Sequence, residues 1–161
     1  DGARFQSYVD GKAHLLSPES SIAMQQAIGG DIIMALDQCI PSTAPYAHAE
    51  AAMHLTHRWA ERSLRARGDL GQALFGIVQG ACHRDLRKKS AAFLSEQSFD
   101  GLAIGGLAVG ESHLERYEMT ALVTEPLRYV AVDRDEIPRR RCRLVKPWKF
   151  GIRKTRELLA R

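Results

Sequence analysis

The sequence predicts an α/β fold of serial βα units, and three observations carry that prediction. Short apolar runs start near residues 32, 74, 102 and 129, each with the length of a strand buried on both faces of a sheet. One amphipathic helical stretch separates each run from the next, the order that winds a parallel sheet through crossover helices. The runs end on Asp37, on Gln79-Gly80 and on Gly105-Gly106, at the strand edge where such folds hold their chemistry. Four or five strands do not close an eight-stranded barrel, so the pattern points to a partial (β/α) barrel or an open doubly wound sheet.

In chain order, Phe5–Val9 and Lys12–Leu16 flank Asp10-Gly11, which predicts a β-hairpin with a tight primed turn. Ser17 then Pro18 reads as an N-cap with proline at the first helical position, opening a helix that runs to about Ile28 and stops at Gly29-Gly30. Ile32–Leu36 is the first buried strand, with Asp37 directly at its end. A carboxylate there caps a helix, forms a structural ion pair or binds a ligand, and the residue alone leaves all three open.

Pro41 and Pro45 mark a loop, after which Ala49, Ala52, Met53, Thr56, Trp59, Ala60 and Ser63 recur at three- and four-residue steps. This stripe predicts a helix of roughly five turns ending near Gly68. His54 and His57 on it have a spacing that metal ligands use, but no third ligand or HExxH pattern joins them, so they read as exposed helix histidines. Ala73–Val78 is the next strand. Gln79 has the parity of Phe75 and Ile77, which places its amide on a buried face, in the simplest case bonded across the sheet. Arg84–Gln97 reads as a basic amphipathic helix with Leu86, Ser90, Phe93 and Leu94 inward.

The chain is organised around Phe99–Glu111. Leu102-Ala103-Ile104 is a strand, and the glycine pair after it permits a sharp turn and close approach of a ligand to main-chain N–H groups. Ser112 and Glu115 form a capping box that starts a helix through Val123. A plain strand-to-helix turn is the simpler account of the same residues. Arg128–Val132 reads as a further strand.

At 161 residues, 45% apolar and 26% charged, the chain has the size and composition of a globular domain. No apolar run approaches the ~20 residues that span a bilayer, and Asp1–Phe5 has no signal-peptide character. With Cys39, Cys82 and Cys142 lacking metal-ligand or redox spacing, the cytoplasm is the expected compartment. The absence of an initiator Met predicts that the chain begins within a longer protein. Eleven of the 23 Lys and Arg but only three of the 19 Asp and Glu fall in residues 134–161, so that segment carries +8 and residues 1–133 carry −4. The division is thus a partial barrel over 1–133 and an irregular basic tail over 134–161, expected to result from truncation or a shifted reading frame. Such a run contacts nucleic acid or is a solvated charged end.

Taken jointly, Asp37, Gln79 and the Gly105-Gly106 main chain offer a carboxylate, an amide and N–H donors. The Watson–Crick edge of guanine presents N1–H and a 2-amino group beside the O6 acceptor, and this set complements it. Gly30–Cys39, Phe75–Gly80 and Gly105–Glu111 resemble three motifs of the bacterial queuine tRNA-ribosyltransferases, also called tRNA-guanine transglycosylases. Phe5–Gly11 and Leu16–Glu19 match as well, and the similarity runs to about residue 130. The resemblance implies a (β/α)8 TIM-type barrel that exchanges wobble guanine in tRNA for a 7-deazaguanine. In it the base is flipped out of the RNA, and a carboxylate attacks the ribose C1′ to form a covalent intermediate.

By the same resemblance Asp37 accepts the guanine N1–H and amino donors, Gln79 and the Gly106 N–H hold O6, and Cys39, Leu107 and Ala108 line the pocket. The partners implied are tRNA and a guanine or 7-deazaguanine base, with a homodimer in the full-length family. The sequence departs from the family's pattern in the two motifs that supply the catalytic carboxylates and in the Cys-x-Cys-x-x-Cys zinc motif, none of which is present. The expectation is therefore a base-binding fragment with no catalytic residue and no metal ligand of its own, zinc belonging to the full-length family. Two alternatives are a barrel or open-sheet enzyme whose glycine turn binds phosphate, and a vestigial RNA-binding product that acts through the basic tail.

Overall fold

The structure, a computed structural model, describes residues 1–68 and 71–130. The chain opens with β1 (Ala3–Gln6) and β2 (Ala13–Leu16), paired antiparallel with Ala3 opposite Leu16. The turn is wider than the two residues expected. The Ser7 N–H donates to the Lys12 carbonyl at 2.9 Å, and the Gly11 N–H returns to the Ser7 carbonyl at 2.9 Å. The Ser7 hydroxyl accepts from the Val9 N–H at 3.2 Å, and a serine turn of this kind competes with the primed turn that Asp10-Gly11 favours.

Helix α1 (Pro18–Ile28) is capped as its sequence predicts. The Ser17 hydroxyl accepts from the Ser20 N–H, the Ser20 hydroxyl accepts from the Ser17 N–H, and Gly29 is left-handed at φ +79°. Three strands follow, β3 (Ile32–Met34), β4 (Ala73–Val78) and β5 (Gly101–Ile104), in one parallel sheet of order β3-β4-β5. Ile32 lies opposite Ala73, and Phe75 opposite Gly101. Helices α2 (Tyr46–Arg67) and α3 (Arg84–Ser95) connect them, and α4 (His113–Val130) closes the described chain.

The strands are not buried on both faces. Ile33, Leu74 and Val78 are buried among Ile22, Ala60, Ala91, Leu94 and Val123 from the helices. Phe75 and Ile77 on the opposite face are half-buried, and Ile32 is 55% exposed. The physical reason is coverage: the described helices pack on one face of this sheet, so among the described residues the apolar side chains of the other parity are less buried.

All seven positions of the α2 stripe are buried. His57 is buried with them, which corrects the reading of two exposed histidines; only His54 is exposed. Phe93 of α3 stacks on the His57 ring at 4.1 Å, and the Ser90 hydroxyl lies 3.1 Å from Nε2. Phe93 itself is half-buried, while Leu86, Ser90 and Leu94 point inward as expected.

The Ser112–Glu115 box holds the start of α4, the Ser112 N–H donating to Glu115 Oε2 at 2.8 Å. The helix runs through Val130, so the strand expected at Arg128–Val132 is corrected over residues 128–130. Tyr129 and Val130 favour strands locally, but extending an existing helix by one turn is cheap and outweighs that preference. Residues 131–132 and the basic segment 134–161 lie outside the described residues.

Candidate functional site

The C-terminal ends of β3, β4 and β5 bring three groups together. After β3 the ladder continues for one more bond, the Ala35 N–H donating to the Phe75 carbonyl at 2.9 Å. The Gln38 N–H is then held by the Thr56 hydroxyl of α2 at 3.0 Å. These two anchors fix Asp37 between them. Gln79 follows β4 directly, its N–H bonded to the Ser90 hydroxyl of α3 at 3.2 Å. Its side chain is 1% exposed, and Nε2 donates to Asp37 Oδ2 at 2.5 Å. Gln79 Oε1 is buried with no hydrogen-bond partner among the described residues.

The glycine pair after β5 completes the cluster. A Cβ on Gly105 would lie 2.7 Å from Gln79 Nε2, and one on Gly106 would lie 2.5 Å from Gln79 Oε1. Gly106 also takes φ +60°, so both space and conformation require glycine where the turn meets the amide. Asp37, Gln79 and Gly106, which sequence reasoning placed in one pocket, are therefore neighbours. Cys39 and Ala108 are exposed and Leu107 is half-buried, on the loops that flank the cluster.

Burial pushes the Asp37 carboxyl above the usual carboxylate range, against the opposing hydrogen bond from Gln79. A partly buried carboxylate with one amide donor retains lone pairs that further N–H donors can satisfy. The site thus offers a partly satisfied carboxylate to a group that donates hydrogen bonds.

Two residues of the site were not singled out from the sequence. Arg87 is fully buried and donates to four main-chain carbonyls, those of Ala81 (2.7 Å), Val78 (3.1 Å), Gly105 (2.6 Å) and Gly106 (3.0 Å). Its position on the inward stripe of α3 beside Ser90, Ala91 and Leu94 was the available signal. Glu111 folds back on the glycine turn. Its carboxylate accepts the Ala108 N–H, the Val109 N–H at 2.9 Å and Arg116 Nε at 2.8 Å. The Arg116 guanidinium, with those two N–H groups, holds the Glu111 pKa at about 2. An internal carboxylate therefore fills two of the main-chain donors that a phosphate on this turn would need.

Among the described residues no group of three or more His, Cys, Asp or Glu side chains is placed to hold a metal ion, and no helix is long and apolar enough to cross a membrane.

The family model described as queuine tRNA-ribosyltransferase matches residues 1–132. Curated relatives of that name agree with it. The chain is 48% identical to the one from Herpetosiphon aurantiacus over 119 residues, 74% of this chain and 30% of the relative. It is 50% identical to that of Acetivibrio thermocellus over 128 residues, 79% of this chain and 34% of the relative. It is 49% identical to that of Lactococcus lactis subsp. cremoris over 116 residues, 71% of this chain and 30% of the relative. The chain spans about a third of the length of these relatives. With the match covering most of its residues, the chain belongs to the queuine tRNA-ribosyltransferase family.

Proposed function

We propose that this chain forms the guanine-recognition part of a tRNA-guanine exchange enzyme, a segment of a (β/α) barrel whose strand ends hold the base. The observation that carries the reading is the meeting of Asp37, Gln79 and Gly106 at adjacent strand ends. On this reading the Asp37 carboxylate accepts N1–H and the 2-amino group of guanine or a 7-deazaguanine. Gln79 Nε2 and the Gly106 N–H donate to O6, with Cys39, Leu107 and Ala108 around the ring. Selectivity follows from burial, because a base without those donors leaves the carboxylate unpaired.

The macromolecular partner on this reading is tRNA, and the base reaches the pocket flipped out of its strand. The chain lacks the sequence motifs that carry the family's two catalytic carboxylates, so recognition without covalent chemistry is what this chain contributes. Calorimetry with free guanine tests the pocket: binding that weakens by roughly tenfold to a hundredfold in Asp37→Asn is the expected result, and no binding by the unaltered chain overturns it. Incubating the pure chain with tRNA and labelled guanine tests the second half, and incorporation of label would refute the absence of base exchange.

A further inference from the structure

We infer that Arg87 is the positioning residue that aims the Gly106 main-chain N–H at the O6 edge of the base. The inference rests on the guanine reading above. Arg87 enters from α3, behind the strand ends, and its guanidinium spans two loops. It holds the Val78 carbonyl at the end of β4, the Ala81 carbonyl just after it, and the Gly105 and Gly106 carbonyls after β5. The Gly105 N–H donates to the same Val78 carbonyl at 3.0 Å, so the ends of β4 and β5 are tied at one point.

The consequence lies in the geometry of a peptide. No peptide bond in the described chain is cis, and in a planar trans unit the C=O and the following N–H point in opposite directions. Drawing the Gly105 carbonyl onto Arg87 therefore turns the Gly106 N–H away from the guanidinium. The Gly106 carbonyl bond fixes the next peptide in the same way, so the turn cannot rotate about Gly106 without breaking one of the two. Glycine at φ +60° has no side chain to hold that orientation itself. A cation on the carbonyl side also polarises the peptide and makes its N–H a stronger donor. Among the described residues no carboxylate accepts from Arg87, and its hydrogen bonds direct its charge at the main chain.

The test uses the 161-residue chain and three purines. 6-Thioguanine keeps N1–H and the 2-amino group but replaces O6 with a poor acceptor. Hypoxanthine keeps O6 and loses the amino group that Asp37 would accept. In Arg87→Met the preference for guanine over 6-thioguanine is expected to shrink by about tenfold, the worth of one buried hydrogen bond, while the preference for guanine over hypoxanthine stays put. Simple loss of folded protein would weaken all three alike and move neither ratio.

Arg87→Lys keeps a buried cation with fewer and differently placed donors, and its guanine to 6-thioguanine ratio is expected between those of Met and wild type; it decides the matter if Arg87→Met does not fold. A wild-type ratio in the folded variant overturns the role of Arg87 alone. Failure of the wild-type chain to bind guanine overturns both this inference and the reading on which it rests.

Discussion

Gln79 Nε2 donates to Asp37 Oδ2 at 2.5 Å across 42 residues of sequence. The two groups proposed to read a purine thus satisfy each other before any base arrives. On the proposed reading, binding is an exchange in which the base donors replace the amide at Asp37 and the freed Nε2 turns to O6. An exchange of bonds yields less affinity than new bonds alone, because the site is already partly satisfied.

Asp37→Asn separates recognition from stability. Guanine affinity is expected to fall by roughly tenfold to a hundredfold, the worth of a charged hydrogen-bond pair, measured by calorimetry. Stability is expected to rise at neutral pH. The Asp37 carboxyl is raised above its ordinary value of 3.8 by burial, so the folded chain holds that proton more tightly than the unfolded chain. Its contribution therefore declines as pH climbs from 3.8 to the raised value and stays lost above it. Asparagine has no such term, and a melting temperature at pH 7 below that of wild type would contradict the argument.

Gly106→Ala adds a Cβ 2.5 Å from Gln79 Oε1 at φ +60°. Strain at that φ and displacement of the amide together are expected to cost about 1–3 kcal/mol, read by urea unfolding. Guanine binding should fall with it, since Gln79 must move.

Glu111→Gln tests the clamp on the glycine turn. The variant cannot offer two anionic oxygens to Ala108, Val109 and Arg116. The Ala108 and Val109 amides are expected to lose protection from hydrogen exchange at pH 6 while β4 amides keep theirs. In wild type the Glu111 pKa is lowered from 4.5 to about 2. The clamp is fully present above pH 4.5 and is lost as pH falls through 2. Protection that is equal in variant and wild type would remove the clamp.

His57 predicts an acid-sensitive junction between α2 and α3. Burial, with a smaller contribution from His54, lowers its pKa from 6.5 to about 4. The folded chain holds the ring neutral, so its stability is intact above pH 6.5 and drains away as pH falls to 4, by about 2–3 kcal/mol. Urea unfolding at pH 7 and pH 4 reads the loss, and His57→Gln should flatten that part of the difference. An unchanged pH dependence in the variant would rule His57 out as its source.

Much of this architecture is legible along the chain because its causes are local. Ser17 and Pro18 start α1 and Gly29 ends it through bonds within a few residues. The α2 stripe repeats with the helical period, and every position in it is buried. Asp37, Gln79 and Gly106 could be named from the same pattern, since each lies within three residues of a strand's end, although β3 stops at Met34 rather than at Leu36. Family membership rests on such ordered local motifs and is borne out by the match over residues 1–132.

What required the folded chain has partners far apart in sequence. His57 reads as one more polar residue on a helix until Phe93 and Ser90 of another helix enclose it. The period of α3 brings Arg87 inward, but which carbonyls it binds depends on how two loops close over it. The one-sided burial of the strands follows from where the helices pack. Sequence alone determined the family and the order of the elements through the start of α4, though not the helical end of α4 at residues 128–130, because caps and hydrophobic period act within a turn or two. Tertiary structure decided which groups touch and which are buried, because desolvation and long-range hydrogen bonds exist only once distant segments meet.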